Sequence, residues 1–129
     1  MAQCDDGSLP PEGPVRRWCE LMSEGAEKSP EHPFKLRFSG AELKQHMEDA
    51  GFVDVTVKEY KLPIGAWPAD QTLRDAGMLA LGAMIEGLHG ISAAVFTRSL
   101  KWTPDEMEIL LAQVRDEWRR KRVHSWWPV

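Results

Sequence analysis

The stretch TPDEMEILLAQVRDEWRRK, residues 103–121, is the clearest helix in the sequence. Thr103 and Glu106 have the spacing of a capping box, and Pro104 stands where a first helical turn accepts proline. Apolar side chains then recur every three or four residues, which indicates one buried stripe. That stripe consists of Met107, Leu110, Leu111, Val114 and Trp118. We therefore expect a mainly helical fold in which this stripe faces the core.

Two shorter helices are predicted upstream of this one. Residues 14–27 have apolar positions at helical spacing, among them Trp18. Ser39 and Glu42 form a second capping box, which opens a helix that ends at Gly51, a residue suited to a left-handed C-terminal cap. The second helix has a predicted buried stripe of Leu43, His46, Met47 and Ala50, which makes His46 a core histidine.

A long apolar helix is predicted over residues 71–87, with Asp70 as its N-cap. Its middle, AGMLALGAMI, is apolar on nearly every side, which is typical of a helix that is buried all round or lines an apolar cavity. Gly87 and Gly90 are expected to break it around His89. A separate short helix is then predicted over residues 91–102.

The alternating pattern of FVDVTVKEYKLP, residues 52–63, predicts the one convincing strand. A strand needs a partner for its N–H and C=O groups. The sequence leaves three partners open: residues 34–38, residues 123–129, or another copy of the protein. The remaining alternative is that the segment forms no strand.

Composition limits the classes of function. The 129 residues suffice for one domain, 1–129, with residues 1–13 as an irregular arm. The net charge of −4 argues against general nucleic-acid binding, which needs a basic face. No uninterrupted apolar run reaches the roughly 18 residues that span a bilayer, and the N-terminus does not resemble a signal peptide. We therefore expect a cytoplasmic protein without membrane insertion, whose two cysteines are reduced.

Several motifs together resemble the C-terminal part of the fungal LaeA-like, class I methyltransferases that depend on S-adenosylmethionine (SAM). They lie in the family's order along nearly the whole chain, and the PIGAWP turn and the TRSLKW segment are the most specific. They are CDDGSL (4–9), AGFVDVTV (50–57), YKLPIGAWPAD (60–70), TRSLKWTPDE (97–106) and VRDEWRRKRVHSW (114–126).

The same resemblance implies what is missing. The family holds SAM with a glycine-rich loop after its first strand and an acidic residue after the second, and the sequence has neither pattern. We therefore expect no cofactor on this chain. The fold class is mainly α with an α+β remnant. It is a helical domain with one or two short strands, derived from the C-terminal half of the methyltransferase fold. Its strand is paired within the chain or across a dimer.

Three functions follow from this expectation. In the family the helices present here cover the cofactor and close around an organic substrate, so apolar surface remains once they are separated from the sheet. The leading prediction is a cofactor-free cyclase of the Diels–Alder type, acting on an apolar terpenoid or polyketide in a homodimer. The alternatives are a non-catalytic binding or regulatory module, and a methyltransferase subunit completed by a separate SAM-binding chain.

The candidate catalytic residues are polar groups able to donate a hydrogen bond or a proton. Tyr60 lies near the end of the predicted strand, and its alternative role is that of a half-buried edge residue. His89 lies between glycines, where a surface turn histidine is the alternative. Arg98 could clamp a carboxylate, or pair with Glu86 or Asp105 for structure alone.

Candidate substrate-binding residues are mostly apolar or aromatic. They are Trp67, Met78, Leu81, Met84, Phe96, Trp102 and His124. Packing is the alternative for Trp67, Met78, Leu81, Met84 and Trp102, and disorder of the tail is the alternative for His124. Neither a Ser/His/Asp arrangement nor a metal-ligand spacing occurs, so no metal is expected. The cations at 119–122 are attributed to the helix dipole.

Overall fold

The computed structural model describes residues 2–129, which fold into helices and one small sheet. The mainly helical fold predicted from the sequence is confirmed. A π-helical turn, Val95–Ser99, directly continues the third helix, which ends at Ala94. The other elements are α1 (Pro14–Glu27), α2 (Gly40–Asp49), β1 (Lys61–Ile64), α3 (Gln71–Ala94), α4 (Pro104–Arg119) and β2 (Ser125–Pro128).

The core lies between α1, α4 and the C-terminal half of α3. The entire predicted stripe of α4 is buried, and its Thr103–Glu106 capping box forms as expected. From α3 and the π-helical turn, Leu88 and Phe96 enter the same cluster. Because each helix offers an apolar stripe to the others, this part of the fold follows from helical periodicity.

Three tryptophans join α1, α4 and β2. The ring centroids of Trp18 and Trp118 lie 5.6 Å apart edge to face, and Trp127 stacks on Trp18 at 6.5 Å. The Trp18 indole N–H donates to the hydroxyl of Ser92, which is fully buried on α3 and itself donates to the Leu88 carbonyl. Edge-to-face and offset pairs of this kind are favourable beyond the area that they bury.

A buried carboxylate from α4 caps α1. The N-cap of α1 is Gly13, which has no side chain to offer. Instead, Oε2 of Glu117 accepts the Val15 backbone N–H over 2.8 Å. A Cβ at Gly13 would lie only 2.5 Å from Oε1 of Glu117, so glycine is required there. The carboxylate also meets the positive end of the α1 dipole, which offsets the cost of burying its charge.

The strand prediction is wrong over most of its length. Only residues 61–64 form β1, which pairs antiparallel with β2 inside the same chain, Lys61 opposite Pro128 and Ile64 opposite Ser125. This is one of the three partners that the sequence left open. Residues 52–60 are irregular, and Asp54 has a φ of +55°. Their alternating pattern finds no sheet edge within residues 2–129, so it forms no strand.

The predicted helix break at Gly87 and Gly90 is also wrong, because α3 runs unbroken from Gln71 to Ala94. Two glycines weaken a helix by about 2 kcal/mol relative to alanine. Packing of Leu88 and Ser92 into the core outweighs that loss. The separate helix predicted over 91–102 is replaced by the end of α3 and the π-helical turn.

A glycine pair fixes α3 against β1. The Gly65 N–H donates to the Gly77 carbonyl over 2.9 Å, and a Cβ at Gly77 would lie 2.2 Å from the Gly65 carbonyl oxygen. Gly65 has a φ of +106°, which favours glycine. The two backbones therefore approach this closely because Gly77 has no side chain, while Gly65 supplies the positive φ of the turn.

The outer side of α3 is exposed, so burial all round, the first of the two alternatives predicted for this helix, is wrong. Its buried residues are Gly77, Leu88 and Ser92, while Leu79 is 77% exposed. By length and composition residues 71–99 could cross a membrane. That is weak evidence, since core helices pass the same test, and the absence of membrane insertion stays a prediction.

The prediction that α2 has a buried stripe is wrong as well. Its capping box forms, with Ser39 and Glu42 bonded in both directions, but α2 has no buried residue. His46 is an exposed residue that packs edge to face on Phe38 at 5.3 Å, and is not a core histidine. Residues 30–60 contain no buried residue at all.

The N-terminal arm is irregular, as predicted, yet it packs tightly. Ala2 and Leu9 are core residues, and Gln3 forms a two-way backbone bridge with Trp126 on the free side of β2. Cys4 and Cys19 are both free thiols. The arm therefore adds to the same core as the helices.

We predict that Glu117→Ala lowers the free energy of unfolding by about 1–3 kcal/mol, because the buried Val15 N–H loses its acceptor. The matched control is Asp116→Ala, which removes an exposed carboxylate from the same helix and should cost less than about 0.5 kcal/mol. Urea unfolding followed by circular dichroism measures both. Equal stabilities of the two variants would contradict the capping role.

We also predict that the Glu42 carboxylate stays ionised at lower pH than an ordinary glutamate. The hydrogen bond from Lys35, followed by those from Ser39, lowers its pKa from 4.5 to about 2. A carboxylate whose pKa is lower in the folded than in the unfolded protein stabilises the local fold at pH values above the unfolded pKa. This stabilisation is lost as the pH falls through the folded pKa. The α2 start should therefore loosen between about pH 4.5 and 2. Carboxyl-carbon NMR titration should show Lys35→Met raising this pKa, whereas Lys44→Met, on the same helix, should leave it unchanged.

Candidate functional site

A groove lies between the turn after β1, the outer side of α3 and the end of α4. Its volume is about 580 Å³, within the range of small-molecule sites. Three predicted substrate-binding residues, Trp67, Met78 and Leu81, meet in it. The complete lining is Gly65, Ala66, Trp67, Met78, Leu81, Gly82, Ile85, Trp118, Arg119, Arg120, Lys121 and Val123.

Trp67 forms one wall and is held from behind. Its indole N–H donates to the Ser125 carbonyl over 3.0 Å, and the ring stacks on His124 with centroids 5.3 Å apart. Pro63 and Pro68, both buried, limit the turn on either side. A wall fixed at both the ring and the backbone keeps its shape before a ligand arrives.

His124 supports this wall and is not itself among the lining residues. Its Nδ1 lies 2.6 Å from Oδ2 of Asp6, and its backbone N–H donates to Ser8 over 2.8 Å. Hydrogen bonds from Ser8 first, then Cys4 and His124, hold the pKa of the Asp6 carboxyl well below its usual range. The arm thus positions His124, and His124 positions Trp67.

One rim of the groove is cationic. Arg119, Arg120 and Lys121 line it in succession at the end of α4. Arg120 pairs with Asp116 over 2.6 Å, which raises the pKa of its guanidinium. Arg119 and Lys121 form no ion pair with any residue in the range 2–129. Two cations therefore remain available at the mouth of an apolar groove.

The three predicted catalytic residues are not brought together. Tyr60 is 63% exposed, and its backbone pairs with Val129 beside β1. His89 pairs with Glu108 across the surface and, by that hydrogen bond, lowers the Glu108 pKa. Arg98 is exposed on the π-helical turn. None of the three lines the groove.

The remaining predicted substrate residues have packing roles. Phe96 is fully buried in the core, and Met84 packs against it. Trp102 meets Phe96 edge to face at 5.1 Å and lies under the Arg17 guanidinium. Trp102 also lines a separate shallow groove beside α4. Phe96 and Met84 therefore belong to the core and its packing partners, and neither contributes to the groove lining.

Sequence reasoning missed part of the groove. Ile85 and Gly82 continue the spacing of Met78 and Leu81 along one face of α3, so helical periodicity could have found them. The cations at 119–121 were assigned to the helix dipole alone. Nothing in the sequence brings them to Trp67, more than fifty residues away.

The class I methyltransferase fold implies SAM, and the described residues do not fit it. Within residues 2–129, β1 and α3 make the strand–turn–helix junction that such a cofactor needs. There the Asp70 carboxylate already accepts the Leu73 N–H at 2.9 Å, and Arg74 covers the Pro68 and Ala69 carbonyls. The connection between β1 and α3, residues 65–70, has a single glycine, and Pro68 within it has no N–H, so it lacks the glycine-rich loop of amides that would hold an adenosyl group. A search of the same residues finds no group of three or more metal-ligating side chains.

Comparison with known proteins gives relatives but no template. No family model matches the chain, and no solved structure does. The methyltransferase pytC of Aspergillus terreus is 31% identical over 121 residues, which are 94% of this chain and 36% of that protein. The probable methyltransferase tdiE of Emericella nidulans is 30% identical over 97% of this chain and 38% of that protein.

A third relative is named as a regulator. The secondary metabolism regulator laeA of Monascus pilosus is 28% identical over 96% of this chain and 33% of that protein. The chain thus spans about a third of the length of the relatives that it matches. As its motifs predicted, the chain is homologous to one part, about a third in length, of the fungal LaeA-like methyltransferases.

Proposed function

We propose that this chain is the part of a LaeA-like methyltransferase that does not hold SAM, and that it works as a binding module docked on a SAM-binding part. The observation that supports this is a broad apolar surface that the chain cannot bury by itself. We call it the 34–57 face. Its large apolar members are all exposed: Phe34, Leu36, Phe38, Leu43, Met47, Phe52, Val53 and Val57.

This face is locally ordered although it is not buried. α2 begins with a complete capping box, and Lys35 pairs with Glu42. The Phe52 N–H donates to the Met47 carbonyl, which closes the end of α2. A segment with such local order and so much exposed apolar area is typical of a protein interface.

The occupant that we propose is the SAM-binding part of such a methyltransferase, on the same polypeptide or another. The match covers 36% of the relative from Aspergillus terreus, so 64% of that protein lies outside it. The alternating residues 52–57, which lack a sheet edge here, have the pattern of a strand that pairs with one. A partner with a free edge and an apolar surface would satisfy both features.

A cofactor-free cyclase is the second candidate, because the groove could fold an apolar substrate upon itself. This chemistry would need a side chain at the groove that donates a hydrogen bond or a proton to the substrate. The predicted donors Tyr60, His89 and Arg98 lie outside the groove lining. Conversion of a terpenoid or polyketide intermediate without any cofactor would favour the cyclase over the module. The predicted homodimer stays a prediction that sedimentation of the chain alone would test.

We predict that the chain binds the SAM-binding portion of a LaeA-like methyltransferase, prepared by deleting from that protein the third that aligns here. Leu43→Asp with Met47→Asp should weaken this binding at least about tenfold, because two apolar contacts are replaced by charges. Lys44→Asp with Gln45→Asp adds two charges to the same helix at positions outside the apolar pair, and should have a smaller effect. Biolayer interferometry measures the affinities.

No binding of the unmodified chain would overturn the docking proposal. Equal losses in both double variants would do so too, since the contact would then not involve the apolar side of α2. A homodimer that the Leu43 and Met47 changes dissociate would assign the face to a second copy instead.

We predict that SAM added to the isolated chain gives no binding heat by calorimetry. SAM added to the complex with the SAM-binding portion should give a saturable signal. The reason is that the connection from β1 to α3 has a single glycine and no glycine-rich loop of backbone amides. A saturable one-to-one isotherm with the isolated chain would refute this division of roles.

A further inference from the structure

We propose that the groove between α3 and the end of α4 is a binding site for an apolar, ring-containing molecule that bears one anionic group. This inference goes beyond docking, because the site lies wholly within this chain. It depends on the juxtaposition of an apolar floor with unpaired cations at its rim.

The floor suits a flat apolar ligand. Met78, Leu81 and Ile85 lie along one face of α3 and face Trp118 and Val123 across the groove. Met78 remains 57% exposed, so an apolar side chain is available for burial by a ligand. Gly82 lies at the centre of this face, and a Cβ placed there would meet no atom within 4 Å. The groove is therefore open beside Gly82.

The unpaired cations at the rim of the groove favour a ligand that bears an anionic group. Arg119 and Lys121 have no ion-pair partner within residues 2–129, and both line the groove. Arg120 is neutralised by Asp116 on its own helix. Glu117 is turned inwards, where it accepts the Val15 N–H. The free charge at this mouth is therefore positive, although the whole chain has a net charge of −4.

The helix dipole does not account for this arrangement by itself. α4 ends at Arg119, and Lys121 lies beyond it in the following turn. Charges act favourably on the dipole only within the last turn. An anion of the ligand would meet Arg119 and Lys121 while its rings lie against Trp67.

The test uses two fluorescent probes with one skeleton and the full 129-residue chain. They are 8-anilinonaphthalene-1-sulfonate, which is anionic, and N-phenyl-1-naphthylamine, which lacks the sulfonate. We expect the anionic probe to bind at least about threefold more tightly, the size of effect that one or two exposed ion pairs give. Arg119→Gln with Lys121→Gln should abolish this preference, whereas Arg122→Gln, a neighbouring cation outside the lining, should keep it.

Gly82→Leu and Gly90→Leu separate the groove from other apolar surface. Both glycines lie in α3 with open space at the Cβ, and only Gly82 lines the groove. Both changes favour the helix, so neither should lower the melting temperature. Gly82→Leu should weaken the anionic probe at least about tenfold, while Gly90→Leu should leave it unchanged, since only the former fills the groove.

Equal affinity of the two probes, or equal effects of the two glycine changes, would overturn the proposal. Probe binding that is lost only in the Leu43 and Met47 double variant would also overturn it, because the probe would then occupy the 34–57 face. Binding of the SAM-binding portion is measured separately from probe binding. A negative result for the groove therefore leaves the proposed function intact, and a negative docking result leaves the groove proposal intact.

Discussion

The hydrogen bond between the Glu117 carboxylate and the Val15 amide is the constraint on which the rest of the fold depends. It joins the start of α1 to the end of α4, 102 residues apart in sequence. Gly13 makes room for it, and Trp118, the next residue along α4, packs edge to face on Trp18 of α1. Since α1 has no side-chain cap of its own, the cap at its start comes from a distant segment.

The same packing produces the groove. Trp118, one residue after Glu117, belongs both to the tryptophan cluster and to the groove lining. From there the chain turns through four cations, residues 119–122, into β2, whose Ser125 carbonyl fixes Trp67. The arm reaches the site through Asp6 and His124. Core, rim and wall are thus positioned by one short stretch of chain, residues 117–125.

Two kinds of surface distinguish this protein from a self-contained helical domain. The groove is apolar but bounded and charged at its rim, as ligand sites are. The 34–57 face is wide, apolar and unbounded, as protein interfaces are. The relatives are methyltransferases and regulators about three times as long, so their additional length could cover such a face. A ligand site and a docking face on separate sides are compatible with a module that recognises a molecule and joins a larger assembly.

The sequence by itself determined the features that depend on neighbours along the chain. Both capping boxes and the Asp70 cap were predictable, because their partners lie within four residues. The extent of α1 and the apolar stripe of α4 followed from helical spacing. The sequence also predicted Trp67, Met78 and Leu81 as substrate-binding residues. The structure places these three in one groove, and their binding role stays a prediction.

Only the tertiary structure decided which surfaces have partners. The alternation of residues 52–60 and the stripe of α2 are local signals of burial, and both fail because burial needs a second surface that residues 2–129 do not supply. The unbroken α3 and the placing of Arg119 and Lys121 opposite Trp67 likewise depend on contacts between distant segments. Periodicity tells which face of an element is apolar. What covers that face is fixed by the packing of the whole chain.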